Sequence, residues 1–329
     1  MEFVELLSAN LLSPAVLFFV LGVSAGLIKS DLDVPESISR YLAIYLMMAI
    51  GFKGGAALAN TASIDTTMLF CMALGVSASF LMPFLVFALL RATTWLDRAT
   101  AAAVGGHYGS VSLVTFVTAV SFLETRGIAY AGYMPAVLAL MEAPAILSAL
   151  YIAHRAAPET IEAGERAAHR LSREIFTNGA ILLLMGSFLI GWISGKPGAD
   201  KMAGFLVTPF QGVLALFLLD MGLLVSRQLD QLRELTVRLL AFGIIIPLLA
   251  ASIALGLARV IGLDAGTGTL FIVLMASASY IAVPAAMQLA LPQAKAAIYL
   301  PLSLAVTFPF NLAAGIPLYY SLSNTVLKG

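Results

Sequence analysis

The chain has 329 residues, 60% of them apolar and 11% charged, and its 18 basic and 18 acidic side chains balance to a formal net charge of zero. A water-soluble domain needs roughly a quarter of its residues charged to cover its surface, so a soluble fold is excluded, and no basic face is left for nucleic acid. In lipid the backbone must satisfy its own hydrogen bonds, and long apolar runs without period-two alternation select helices over a closed barrel, which predicts an all-α polytopic membrane protein.

A bilayer core of ~30 Å takes ~20 apolar residues per helix, and the runs predict ten spans. The first, 12–28, is short; its flank carries Glu2 and Glu5 instead of basic residues and no A-x-A site follows, so it reads as a retained helix and not a signal peptide. Within it, Gly22-Val23-Ser24-Ala25-Gly26 fits the G-x-S-x-G hydrolase pattern. Inside an apolar helix the same letters read as a Gly-x-x-x-Gly packing motif. The second span, 36–58, carries Lys53 near its far end, and the third, 66–91, holds the single cysteine, Cys71, which has no partner for an intrachain disulfide. The fourth, 98–122, contains AAAVGGHYGSVSLVTF. Gly105, Gly106 and Gly109 each weaken a helix by up to ~1 kcal/mol relative to alanine and predict a break. His107 falls in that break, either as a ligand contact or as a polar group bonded to a neighbouring carbonyl. The fifth span, 128–153, holds Glu142.

A hydrophilic stretch over 154–174 then divides the chain, read as a solvated linker or a docking surface. The second half predicts spans at 175–194, 203–225 with Asp220, 236–259, 266–290 and 296–322 with Asn311. In the ninth span Pro284 removes a backbone donor and predicts a break. Five spans on each side of the linker invite comparison of the halves. Leu96-Asp97 aligns with Leu263-Asp264; Thr100 then falls on Thr267, Ser110 on Ser277, Ser112 on Ser279, and Pro144 pairs with Pro309. An odd number of spans per repeat forces opposite orientations, an inverted repeat of the kind many secondary transporters use. The expected organisation is a first five-helix repeat over 1–153, a cytoplasmic hydrophilic linker over 154–174 and a second, inverted repeat over 175–329. With both termini outside, twelve of the 18 basic residues fall on the inner side, the linker's Arg166, Arg170 and Arg173 among them, which favours that orientation.

Matching interruptions in the two halves point to a site at the bilayer midplane. A broken helix offers free N–H groups and a positive dipole end to an anion. Ser110, Ser112, Ser277 and Ser279 add hydroxyls there, while the same serines and glycines also suit close helix packing. Membrane-embedded ionisable groups are costly and face a partner or a cavity. Hard cations prefer oxygen ligands, so Glu142 and Asp220 are candidates for a sodium site or its surroundings; Asp220 is alternatively an ion-pair partner of Lys53. Asn311 lies close to the counterpart of Glu142. No H-E-x-x-H, P-loop or C-x-x-C is present, so no enzyme is expected.

The stretches SDLDVPESISRYLAIYLMMAIGFKGGAAL, GGHYGSVSLVTFVTAVSFLE, YMPAVLALMEAPAIL and LFLLDMGLL resemble the sodium-dependent bicarbonate transporter family of cyanobacteria and other bacteria, over nearly the whole chain. The resemblance implies ten helices in two inverted repeats, a core domain with crossed, discontinuous helices four and nine, a gate domain, an elevator-like movement, a homotrimer in the bacterial inner membrane, and inward symport of bicarbonate with sodium as coupling ion. It implies a substrate region at Gly109, Ser110, Val111 and Ser112 and at Ser277, Ala278 and Ser279. It also implies a PII-like cytoplasmic regulator, although the central loop is short compared with the cyanobacterial members. Rival readings are a transporter of another small anion, a cation/proton antiporter, and a membrane sensor or scaffold acting through the linker.

Overall fold

The computed structural model describes residues 3–59, 65–155 and 179–327. From residue 156 onward the hydrophilic stretch lies outside the described residues. Every regular element among the described residues is helical. The first span appears as α2 (Pro14–Leu27), preceded by a short α1 (Phe3–Leu11) across a 60° bend. Ser13 caps α2 through the Val16 N–H, and Pro14 sits in the first turn, where a missing N–H has no intrahelical acceptor to lose. Then follow α3 (Glu36–Ala59), α4 (Thr66–Thr93), α5 (Arg98–Gly109), α6 (Leu113–Glu124) and α7 (Met134–Arg155). The second half supplies α8 (Gly179–Met202), α9 (Phe210–Gln228), α10 (Val237–Val260), α11 (Ala265–Ala276), α12 (Ala282–Ala290) and α13 (Ala296–Val326).

Seven helices among the described residues are long and apolar enough to cross a membrane, or eight with the bent α1–α2 pair taken as one span. The protein is therefore a multi-pass membrane protein. The expected runs are helical over most of their length. The largest boundary shifts have local causes: Gly195, with φ 54°, kinks α8 before it continues to Met202, and α7 starts only at Met134 because the preceding residues form a turn.

Two packing sets organise the bundle. In the first, α2 runs beside α9 and α3 beside α8, with backbones in direct contact. A methyl group on Gly22 would overlap the Leu219 carbonyl, and one on Gly222 the Phe19 carbonyl. Gly55 stands likewise against the Phe188 carbonyl and Gly191 against that of Phe52. The Gly22/Gly26 motif is thus a packing motif. In the second set, α4 lies against α5 and α7, and α11 against α10 and α13. Pro83, inside α4, seats against α5: a Cβ on Gly105 would come within 2.9 Å of the Pro83 carbonyl oxygen and one on Gly109 within 2.5 Å of its ring.

The second set is also stitched across the two halves of the chain. Asp97 caps α5 by accepting from the Thr100 N–H and hydroxyl, both at 2.8 Å. Asp264 caps α11 through the Thr267 N–H at 2.9 Å and hydroxyl at 2.6 Å. Each threonine oxygen then accepts from the other half: Thr100 from the Lys295 N–H at 3.1 Å, Thr267 from the Ala131 N–H at 2.9 Å. The tenth span's Thr307 donates to the Gly243 carbonyl at 2.7 Å and accepts from the Tyr108 hydroxyl at 2.6 Å.

Because the α3–α8 contact has no room for a methyl group, Gly55→Ala is expected to lower stability by ~1–3 kcal/mol. Gly186→Ala, whose Cβ meets nothing within 4 Å, is expected to be neutral or stabilising by up to ~1 kcal/mol. Thermal unfolding of both variants in detergent measures the difference.

Candidate functional site: two helix breaks bonded to each other

The two discontinuous spans break where their backbones turn extended. α5 ends at Gly109 and α6 begins at Leu113; α11 ends at Ala276 and α12 begins at Ala282. Ser110 (φ −85°, ψ 178°) and Ser277 (φ −91°, ψ 170°) occupy equivalent terminating positions. This corrects the expectation that Gly105, Gly106 and Pro284 make the breaks. Gly105 and Gly106 lie inside α5, where their lack of a side chain admits Pro83 and Ala149, and close packing outweighs the ~1 kcal/mol propensity cost. Pro284 is the third residue of α12, where its absent N–H would have had no intrahelical acceptor.

The breaks bond to one another. The Ser112 N–H donates to Ser277 Oγ at 2.9 Å, and the Ser279 N–H donates to the His107 carbonyl at 2.8 Å. Ser277 passes its own proton to the Leu274 carbonyl at 3.0 Å. Ser112 Oγ caps α6, accepting from the Thr115 N–H at 3.2 Å and hydroxyl at 3.0 Å. Ser279 Oγ accepts from the Val283 N–H at 3.5 Å at the start of α12. Asn311 donates to the Ala276 carbonyl at 2.9 Å, satisfying an orphan at the end of α11, and accepts from the Tyr319 hydroxyl at 2.8 Å. His107 is wholly buried; its Nδ1 lies 2.7 Å from the Ala103 carbonyl, which requires the proton there, and its ring centroid is 4.6 Å from that of Tyr299.

In front of the two breaks lies a cleft walled by α3, α7 and α8. Of the residues singled out from sequence, Val111, Ser112, Ser279 and Glu142 line it. Gly109, Ser110, Ser277, Ala278, His107 and Asn311 are buried in the crossing and absent from the lining. Leu113, Tyr280 and Ile281 belong to the lining by adjacency to the serines; Ala43, Met47, Leu138 and Leu184 complete it. Those four are apolar residues on apolar helices, and nothing in a single sequence distinguishes them from lipid-facing neighbours.

Asp220 stands apart from this cleft. It is buried on α9 and hydrogen-bonded to Ser39 of α3, with Arg227 and Asp33 as the nearby charges, and its Oδ2 has no partner. The alternative ion pair with Lys53 does not form. Ser39 and Lys53 are separated by about 21 Å along α3, and Lys53 pairs instead with Glu124 at 2.6 Å, its ammonium 4.6 Å from the Phe210 ring centroid.

The arrangement sets two helix N-termini, those of α6 and α12, beside a carboxylate and two hydroxyls in a largely apolar cavity. An anion and a cation can be held side by side there. A family model described as the Na+-dependent bicarbonate transporter superfamily matches residues 14–324. No curated protein matches the chain.

Ser277 supports the Ser112 N–H from within the crossing. Ser277→Ala is therefore expected to leave that donor unpaired and cost ~1–3 kcal/mol. Ser110→Ala removes only a 3.5 Å contact with the Glu142 carbonyl and is expected to cost less than ~0.5 kcal/mol. Unfolding midpoints of the two variants check the order.

Proposed function

The chain belongs to the Na+-dependent bicarbonate transporter superfamily, and from that premise we propose that it is a secondary active transporter bringing bicarbonate into the cell by sodium symport. The observation that carries the reading is the spare hydrogen-bonding capacity at the cleft. Ser112 Oγ accepts from Thr115 and adjoins the Tyr280 hydroxyl, and Ser279 Oγ accepts from Val283, so the Ser112–Tyr280 pair and Ser279 each keep a hydroxyl proton for an oxyanion. Ser277 has spent its proton on Leu274. Bicarbonate, a small planar oxyanion, suits two hydroxyl donors backed by two helix N-termini.

Glu142 supplies the complementary charge. Its carboxylate is a hard oxygen ligand for sodium, a few residues along α7 from Leu138, which also lines the cleft. Carrying one negative charge inward against a negative-inside potential costs ~2.3 kcal/mol per 100 mV. A co-bound cation cancels that cost, and its gradient drives accumulation. The apolar walls of Leu113, Leu138, Leu184 and Ile281 disfavour either ion alone, which is the physical basis of obligatory pairing.

We read the two halves, 1–153 and 175–329, as inverted repeats joined by a cytoplasmic linker. The matched caps Asp97–Thr100 and Asp264–Thr267, each bonded to the opposite half, support this. The α2–α9 and α3–α8 pairs form the stationary gate, and α4–α7 with α10–α13 form the moving core that carries the crossing. Within each unit the backbones touch through glycines, so each moves as a body, in an elevator-like alternation. Asp220, buried between α9 and α3, belongs to the gate and holds its helices together.

In proteoliposomes, labelled bicarbonate uptake is expected to require an inward sodium gradient; equal uptake without sodium would refute the coupling. Glu142→Gln is expected to reduce sodium-dependent uptake by at least about tenfold with folding intact. Ser112→Ala and Ser279→Ala are each expected to weaken bicarbonate binding by roughly five- to thirtyfold, the effect of ~1–2 kcal/mol. Competition by other small anions reads selectivity in the same assay.

A further inference from the structure

We infer that Lys53 and Glu124 form a register lock that holds the core in its linker-side position, and that transport requires this pair to separate. The inference rests on the two-unit reading above. It starts from an offset between the units. Glu124 is the last residue of α6, and Gly132 and Pro135 flank the start of α7, so all three mark the core's end opposite the linker. Their partners on the gate spread over the last two turns of α3: a Cβ on Gly132 would lie 2.7 Å from that of Ala57 and 2.9 Å from the Leu58 N, while Gly54 and Lys53 lie deeper. A Cβ on Gly54 would lie 2.6 Å from the Pro135 ring and 2.7 Å from the Gly132 carbonyl oxygen, and Lys53 bonds Glu124. Lys53 is six residues short of Ala59, where α3 ends, or about 9 Å along the helix. The crossing at the core's middle correspondingly faces Ala43, Met47 and Leu184, in the linker-side halves of α3 and α8. The core is therefore displaced toward the linker end relative to the gate.

At this contact Gly54 packs closely on Gly132 and Pro135 without interlocking side chains, and a polar key lies beside it. The key is the ion pair. Lys53 and Glu124 side chains are 19% and 28% exposed, so water screens them only in part. Glu124 Oε1 accepts from both Lys53 Nζ at 2.6 Å and the Tyr130 hydroxyl at 2.9 Å, and Phe210 lies under the ammonium. One turn before, Ser121 donates to Gln211 of α9 at 2.8 Å, fastening the same end of α6 to the other gate helix. Charges partly withdrawn from water interact more strongly than surface pairs. A displacement of the core by one or two turns would part Lys53 from Glu124 and leave a cation on the gate and a carboxylate on the core facing the side from which sodium and bicarbonate arrive.

The test uses the full chain in sealed vesicles, with Cys71→Ala as background and Ile281→Cys in the cleft as reporter. A membrane-impermeant thiol reagent is applied to the face opposite the linker. Lys53→Met and Glu124→Gln are each expected to raise the labelling rate about tenfold, Lys53→Arg to leave it near the parent rate, and the swap Lys53→Glu with Glu124→Lys to restore it. Thermal unfolding of each variant confirms folding. Unchanged labelling in both single variants, or no restoration by the swap, overturns the lock. If sodium-driven uptake persists while labelling is unchanged, the lock alone fails; if labelling follows the charges but uptake is sodium-independent, the symport reading alone fails.

Discussion

Breaking a helix inside a membrane frees backbone groups that lipid cannot satisfy, and the rest of this structure follows from how those groups find partners. The two breaks supply much of each other's bonding, through Ser112 to Ser277 and Ser279 to the His107 carbonyl. Asn311 covers the end of α11 from the last span. Neither break is self-sufficient: each needs the other half of the chain. That mutual dependence holds the two breaks together and brings the starts of α6 and α12 to one cleft.

The serines at the crossing divide their labour by proton bookkeeping. A hydroxyl that donates to a helix carbonyl, as Ser277 does, becomes part of the scaffold. Ser112 instead accepts at the cap of α6 and faces the cleft beside the Tyr280 hydroxyl. Residues that look equivalent by repeat position thus differ in chemistry, because the two breaks are not bonded symmetrically. The Ser279 N–H takes the His107 carbonyl, whereas its counterpart, the Ser112 N–H, takes a hydroxyl.

Around the breaks, glycine decides which helices pack closest. Where backbones meet without room for a methyl group, as at Gly22 with Gly222 or Gly55 with Gly191, helices are joined over long stretches by dispersion contacts. Where the two sets face each other, polar side chains carry part of the contact, and an ion pair can be broken and remade without repacking a core. Asp220, isolated between α9 and α3, serves packing there and lies away from the cleft.

Hydropathy and length alone determined that this chain crosses a membrane many times as helices, because a lipid solvent leaves the backbone few alternatives. The matched order of Asp97, Thr100, Ser110 and Ser112 with Asp264, Thr267, Ser277 and Ser279 also made the two interrupted spans legible. The glycines and Pro284 misdirected the location of the breaks, since propensity describes an isolated helix and Pro83 and the first turn of α12 supply contexts that tolerate them. The partner of Lys53, the apolar walls of the cleft and the division of the serines were decided only by tertiary structure. Each depends on residues far apart in the chain, such as Glu124 or Leu184, whose proximity is created by helices crossing at chosen heights, and a one-dimensional pattern holds no record of height.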